Sequence, residues 1–436
     1  MAIVQAPRAV TTTAPPRASR DTGIDFVRAL CVLGVVLLHS IMVGVTVDAS
    51  GPVFANASDG TAWIAPLSWI LQVMPLFFVI GGFSGLLAYR RLRRRGGTAV
   101  SFVAGRLHRL LRPAVLTIAV VGVALAALTV AGVPADLIAT AGFRYGQPLW
   151  FLGVFLLCQA LLPLLAAAHD RAPFRTIAIL ALAAVTVDVL RAATGLEGLG
   201  FLNLAFVWMT LQQLGFFLAD GRIDALRRRA RAGAGFGALV LLAATFLTGV
   251  YSPDLIWNIN PPTSALLLVG VIHTSLLSLY RERLERFSRR PRVAAFTGFV
   301  TVRTMTIYLW HMPVLLLMAG ITAVYALTTG VALPALDSAG WWAGRPLWLV
   351  TALALSALVA VAFTRFEAQP APPATTSRRR LIVGTLSGLI GVVLLLAVGT
   401  SVSTALIAVA LIALALRLAS RAAPLSSRGA GMLVPA

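Results

Sequence analysis

Apolar stretches long enough to cross about 30 Å of hydrocarbon as helices recur from near residue 24 to near residue 419, and this bounds the fold before any motif is read. Inside a bilayer every backbone N–H and C=O must be satisfied within the chain, which leaves helices or a closed β-barrel. The runs lack the period-two alternation of barrel strands, so the sequence predicts an all-α polytopic membrane protein. Composition agrees: 59% of the 436 residues are hydrophobic, 12% are charged, and mean hydropathy is +0.89. Spans are expected near 24–46, 63–89, 110–133, 148–167, 174–192, 200–219, 234–251, 263–281, 303–327 and 345–364, followed by a hairpin near 381–399 and 401–419.

All 36 basic residues are arginine, and the net charge is +21. On one soluble face such a charge would suggest nucleic acid, but here the arginines fill alternate short connections, Arg90 to Arg112, Asp220 to Arg231 and Arg281 to Arg303. By the positive-inside rule those loops and both termini are cytoplasmic, and an even number of spans satisfies each loop. The arginine-only basic set, with abundant alanine, suggests a high G+C bacterial chain, hence an inner (plasma) membrane location with lipids as neighbours and no nucleic-acid partner. The expected layout is a disordered cytoplasmic tail over 1–20 without a cleavable signal peptide and a ten-span core over 21–367. A proline-spaced linker follows over 368–380, then a hairpin and tail over 381–436, the hairpin read as a lipid-facing appendage. Cys31 and Cys158 lie within apolar runs and read as small core residues.

The first span holds the most informative side chains, Asp25, Arg28 and His39. Eleven helical steps turn close to three full circles and rise about 16 Å, so Arg28 and His39 share one face. Ionisable groups in such spans face a bundle interior or wet cavity, which makes the pair a site hypothesis. His39 reads either as a packing imidazole bonded to a backbone carbonyl or as a base able to take a proton from a hydroxyl. Asp25 and Arg28, three apart, read as a local ion pair. Arg106 and Arg109 offer forked donors to phosphates from a short cytoplasmic helix, or act as topology signals. Gly81, Gly82, Ser84 and Gly85 form a small-residue patch suited to close helix packing. Tyr308, His311 and Trp150 read equally as packing, interfacial or cavity residues, with His311 in the cytoplasmic half of its helix; His108, His169 and His273 have no nameable partner. No Gly-rich phosphate loop, paired carboxylates, metal-spaced His/Cys cluster or nucleophile elbow occurs in a fitting context.

The ordered motifs resemble the acyltransferase-3 family of membrane acyltransferases. Arg28, ten intervening residues and His39 resemble its first-helix signature. Pro75–Phe83 resembles its second-helix motif, with Gly81 or Gly82 in place of the usual serine. Phe102, Arg106, Arg109 and Pro113 resemble the arginine-pair motif, and Leu149-Trp150-Phe151-Leu152 a fourth-helix motif. Ile307–Pro313 carries the late tyrosine, histidine and proline, and Glu367-Ala-Gln-Pro370 is one residue longer than the family's Glu-x-Pro ending.

The resemblance covers roughly residues 20 to 370. It implies a membrane O-acyltransferase moving an acyl group, acetyl first, from acyl-CoA to a hydroxyl of a glycan, lipid or small molecule, with acyl-CoA as co-substrate and no bound cofactor or metal. His39 would be the base, assisted by Asp25 and Arg28, with Arg106, Arg109, Ser84, Tyr308, His311 and Trp150 around the substrates. The competing reading is a transporter or flippase using Asp25, Arg28 and His39 as a proton or anion path. On the acyltransferase reading, His39 and the arginine pair are expected to open on one chamber reached from the cytosol.

Overall fold

The computed structural model describes residues 21–49 and 51–421; the tail expected over 1–20 and the chain after 421 lie outside them. The first span is α1 (Thr22–Met42), continued by a two-stranded hairpin of β1 (Val43–Asp48) and β2 (Gly51–Asn56). Then come α2 (Ile64–Leu71), α3 (Met74–Arg94), α4 (Ala99–Val130), α5 (Ala135–Gly146), α6 (Trp150–Arg171), α7 (Pro173–Thr194) and α8 (Asn203–Ala219). The chain continues through α9 (Arg228–Leu247), α10 (Ala265–Ser288), α11 (Pro291–Val302), α12 (Thr304–Thr329), α13 (Ala339–Glu367), α14 (Arg378–Ala397) and α15 (Val402–Ala419). Among the described residues, twelve helical stretches are long and apolar enough to span a membrane, α2 with α3 and α5 with α6 each counting as one. The protein is an all-α polytopic membrane protein.

Among the element boundaries that differ from the sequence reading, two bear on the site, each for a local reason. The first helix stops at Met42 because Val43, Val45, Thr46 and Val47 form a β-branched run that pairs antiparallel with β2, Val43 opposite Asn56 and Asp48 opposite Gly51. Gly51 closes that turn at φ 122°, a conformation other residues adopt only with strain. The third span starts eleven residues earlier than expected, because Thr98 and Ser101 cap it reciprocally and nothing breaks the helix before Arg106. Arg106 and Arg109 therefore sit on one continuous 32-residue helix rather than a separate short one.

The middle of the bundle is set by backbone-close packing of α3 on α8. A Cβ at Gly82 would lie 2.2 Å from the Gln212 carbonyl oxygen, and one at Gly215 would lie 2.0 Å from that of Val79. Phe78, Trp208, Leu152 and Leu156 fill the space around this seam and are fully buried. By contrast α7 and α9 leave long rows of leucine, isoleucine, valine and phenylalanine exposed, the surfaces a bilayer would cover.

The C-terminal hairpin is not a lipid-facing appendage. Gly388 of α14 approaches Leu111 of α4, Gly122 of α4 approaches Ala405 of α15, and Gly142 of α5 lies against the Thr400 carbonyl. Ala405, Ala408, Ile412 and Ala415 are completely buried. The preceding linker is tied as well, Thr375 N–H donating to the Ala419 carbonyl at 2.8 Å and Arg112 to the carbonyls of Gln369 and Pro370.

Because α3 and α8 meet through backbone, Gly82→Ala is expected to lower stability by about 2 kcal/mol through overpacking. Gly320→Ala on α12, where a Cβ would meet nothing within 4 Å, is expected to change it little. Comparison of thermal unfolding midpoints of the two variants in one detergent checks this.

Candidate active site

One end of the bundle gathers the arginine-rich connections into a lattice of ion pairs. Asp21 caps α1 by accepting from Ile24 N–H at 2.9 Å and also accepts from Arg281 at 2.7 Å. Arg281 reaches Asp224 too, and Asp224 accepts from Ser278. A second group joins Arg90 to Asp220 at 2.5 Å and Asp170 at 2.7 Å, with His169 bridging Asp220 and Gln213. Burial works against ionisation of the Asp220 carboxyl, but Arg90 and then His169 outweigh it and hold the group below its ordinary range. His169 thus has a structural role that its loop-like sequence position hid.

Beside this lattice lies a wide cavity of about 820 Å³. Asp25, Arg28, Ser84, Arg91, Arg106, Arg109, Arg281 and Glu285 are on its wall. Arg28 donates to Asp25 at 2.9 Å and to Ser84 Oγ at 2.5 Å, so the expected i,i+3 ion pair forms and is tied to α3. Arg281 is neutralised by Asp21 and Asp224, and Glu285 pairs with Arg289. Arg91, Arg106 and Arg109 have no carboxylate within ion-pairing distance among the described residues; Arg106 lies over the Phe102 ring, 4.9 Å from its centroid. The cavity therefore carries excess positive charge on its wall, a suitable lining for a polyanion. Of the small-residue patch, Gly82 serves helix packing, whereas Gly81, Ser84 and Gly85 line the cavity.

His39 lines a different and smaller cavity, of about 110 Å³, walled by Val32, Val35, Val36, Met42, Gln72, Phe77, Trp150, Phe151, Ile259 and Tyr308 among others. Its Nδ1 lies 3.0 Å from the Val35 carbonyl oxygen and 3.3 Å from Nε2 of His311, whose own Nδ1 is 2.5 Å from the Tyr308 carbonyl oxygen. These contacts assign the tautomers: His311 donates from Nδ1 to Tyr308, and its Nε2 shares with Val35 the proton on His39 Nδ1. Nε2 of His39 is then the acceptor nitrogen of that ring. The Tyr308 hydroxyl donates to the Pro148 carbonyl, which fixes α12 against the start of α6. Trp150 stacks on Trp208 at 5.3 Å and so belongs to the cavity wall rather than the membrane interface.

Arg345 and Trp348 hold the end of α1 that carries His39. The Arg345 guanidinium donates to the Val43 carbonyl at 3.0 Å, Trp348 Nε1 donates to that of Ser40 at 3.0 Å, and Arg345 stacks over Trp341 with 3.9 Å to the ring centroid. A cation at the last carbonyls of a helix satisfies orphan acceptors and opposes the helix dipole.

The single chamber expected from sequence is in fact two cavities that meet at Phe77, Thr304 and Met305, residues lining both. Phe77 packs edge-on against Phe151 and Phe155, at 5.1 and 5.8 Å between centroids, and that aromatic cluster stands at the junction between the imidazole and the arginines. Asp25, Arg28, Ser84, Arg106 and Arg109 fall in the wide cavity; His39, Trp150 and Tyr308 fall in the apolar one, with His311 directly behind His39. Because Thr304, the first residue of α12, already lines both cavities, His311 sits at the depth of His39 and not in the arginine-rich half.

Residues 21–365 match the acyltransferase-3 family model, described as an acyltransferase domain. The chain belongs to that family. No curated protein and no solved structure matches it. The family makes it a membrane acyltransferase that transfers groups other than aminoacyl groups, and places α14 and α15 outside the matched region. Sequence reading missed Arg281, Arg345, Gln72 and Phe77. For Arg345 the signal was present, an arginine in an apolar span between Trp341, Trp342 and Trp348. Arg281 meets its partner Asp21 across 260 positions, which no local pattern reveals.

Nitrogen NMR of histidine-labelled protein is expected to show His39 as the Nδ1–H tautomer. In His311→Phe, loss of the second acceptor on that proton should shift the His39 Nδ1 resonance; an Nε2–H tautomer in the unaltered protein would refute the assignment.

Proposed function

We propose that this family acyltransferase moves an acyl group, acetyl foremost, from acyl-CoA on the cytoplasmic side of the bacterial inner membrane to an acceptor hydroxyl. The observation that carries the reading is His39, an imidazole with Nδ1 engaged by Val35 and His311 and its acceptor nitrogen left over, in a cavity abutting an arginine-lined one. The phosphates of CoA lie against Arg91, Arg106 and Arg109, where charge-assisted forked hydrogen bonds are strongest. The pantetheine arm follows the wall of Gly81, Ser84 and Gly85, narrow enough to pass Phe77 and Met305 and bring the thioester to His39. Arg28, tied to Asp25 and Ser84, positions the entrance.

In the chemical step His39 Nε2 takes the acceptor's hydroxyl proton as the oxygen attacks the thioester carbonyl. The C–O bond forms and the C–S bond breaks. The imidazolium returns its proton to the thiolate, leaving an ester and free CoA. His311 is a positioning residue, since it touches the reacting groups only through His39. The family membership supports acyl transfer over a transporter, in which label would cross sealed vesicles without CoA.

With purified protein and acetyl-CoA, acceptor-dependent thiol release is expected, and His39→Ala should lower it by about 10²–10⁴-fold, the usual contribution of a general base. Undiminished release from a folded His39→Ala protein would remove the assigned base. Arg106→Gln and Arg109→Gln are each expected to raise KM for acetyl-CoA about tenfold, as loss of one charged hydrogen bond does, with kcat nearly unchanged.

A further inference from the structure

Acyl transfer through His39, as read above, leaves open what bears the accepting hydroxyl, and the wall of the His39 cavity bears on that choice. Among the described residues, no carboxylate and no arginine lines it. Apart from His39 and the Trp150 indole, its polar side chains each direct a hydrogen atom at a protein carbonyl: Gln72 to Leu255 at 2.7 Å, Thr304 to Val300 at 3.1 Å, and Tyr308 to Pro148. The remaining surface is made of valine, leucine, isoleucine, methionine and aromatic rings. A loop carrying Ile256 and Ile259 contributes to the wall, and that loop is built into the fold. Ser68 Oγ accepts from Leu255 N–H at 2.9 Å, Trp69 donates to the Pro253 carbonyl at 3.0 Å, and Asn258 donates to the carbonyls of Ser252 and Asp254. Ile256 and Ile259 thereby become part of the wall.

We infer that the acceptor is an alcohol with an uncharged, apolar body, a lipid-like or hydrocarbon-rich molecule and not a sugar. The two cavities divide the substrates by polarity, the anionic donor with the arginines and the apolar acceptor with the imidazole. A sugar would bring a ring of hydroxyls into a space with few free partners, each left without the hydrogen bonds it had in water. An alkyl or polycyclic body instead gains free energy with every methylene removed from water. One hydroxyl suffices for the reaction: its proton passes to His39 Nε2, its oxygen takes the acyl carbon, and the thiolate leaves with that proton, with no further reactant.

The test measures thiol release from acetyl-CoA by the full-length protein in detergent, with straight-chain alcohols from propanol to decanol and with maltose as the sugar. The expected result is a kcat/KM that rises about threefold to fourfold per methylene until the cavity is filled, with maltose roughly 100-fold below decanol. Met42→Trp, which fills part of the wall, should end the rise at a shorter chain while KM for acetyl-CoA stays unchanged; micelle partition is common to both proteins and cancels. His39-dependent release as fast with maltose as with decanol would overturn the acceptor assignment and leave acyl transfer standing. A chain-length series identical in Met42→Trp would equally overturn it, by removing the alcohol from this cavity. Absence of His39-dependent release with every acceptor would overturn the acyl-transfer reading and this assignment together.

Discussion

A buried imidazole must direct its N–H at an acceptor, and much of this structure follows from where His39 directs its own. With Nδ1 held between the Val35 carbonyl and His311, the ring cannot turn over, and its second nitrogen is fixed as an acceptor. That arrangement needs α12 at a set height against α1, which the Tyr308 hydroxyl enforces by gripping the Pro148 carbonyl. It also needs α1 to end in register, which Arg345 and Trp348 enforce from α13 by taking the last helical carbonyls. Three helices distant in sequence therefore determine the orientation of one ring.

Charge is sorted along the same helix. Asp21, Asp25 and Arg28 belong to the arginine-rich end, where Asp21 pairs with Arg281 and Asp25 with Arg28, while the stretch from Val32 to Leu38 carries no charge. Arg91, Arg106 and Arg109 have no carboxylate partner among the described residues, so the wall of the wide cavity suits an anion. The Phe77, Phe151 and Phe155 rings stand where the two environments meet.

Much of this was readable from the chain. Span count followed from hydrocarbon thickness, and the pairing of Asp25 with Arg28 and the inward face of His39 followed from helical periodicity. Arg106 and Arg109 stood out by spacing. What was hidden depends on contacts between distant segments: the aromatic cluster where the two cavities meet, the His39 and His311 contact across 272 positions, and the Arg281 bond to Asp21. The β-hairpin after Met42 escaped notice because Val43 to Val47 is as apolar as a helix end, and its β-branched character decided the outcome only with β2 available as a partner.

The seating of α14 and α15 bears on how the protein is made. The face of α4 that carries Leu111 and Gly122 is covered by Gly388 and Ala405, some 280 positions later. During synthesis the ten earlier spans must wait in the bilayer with that seam open to lipid until α14 and α15, which follow them, complete the assembly. Quality control that senses unfilled grooves would therefore judge a nascent chain by whether α14 and α15 had seated, however sound the earlier spans already were.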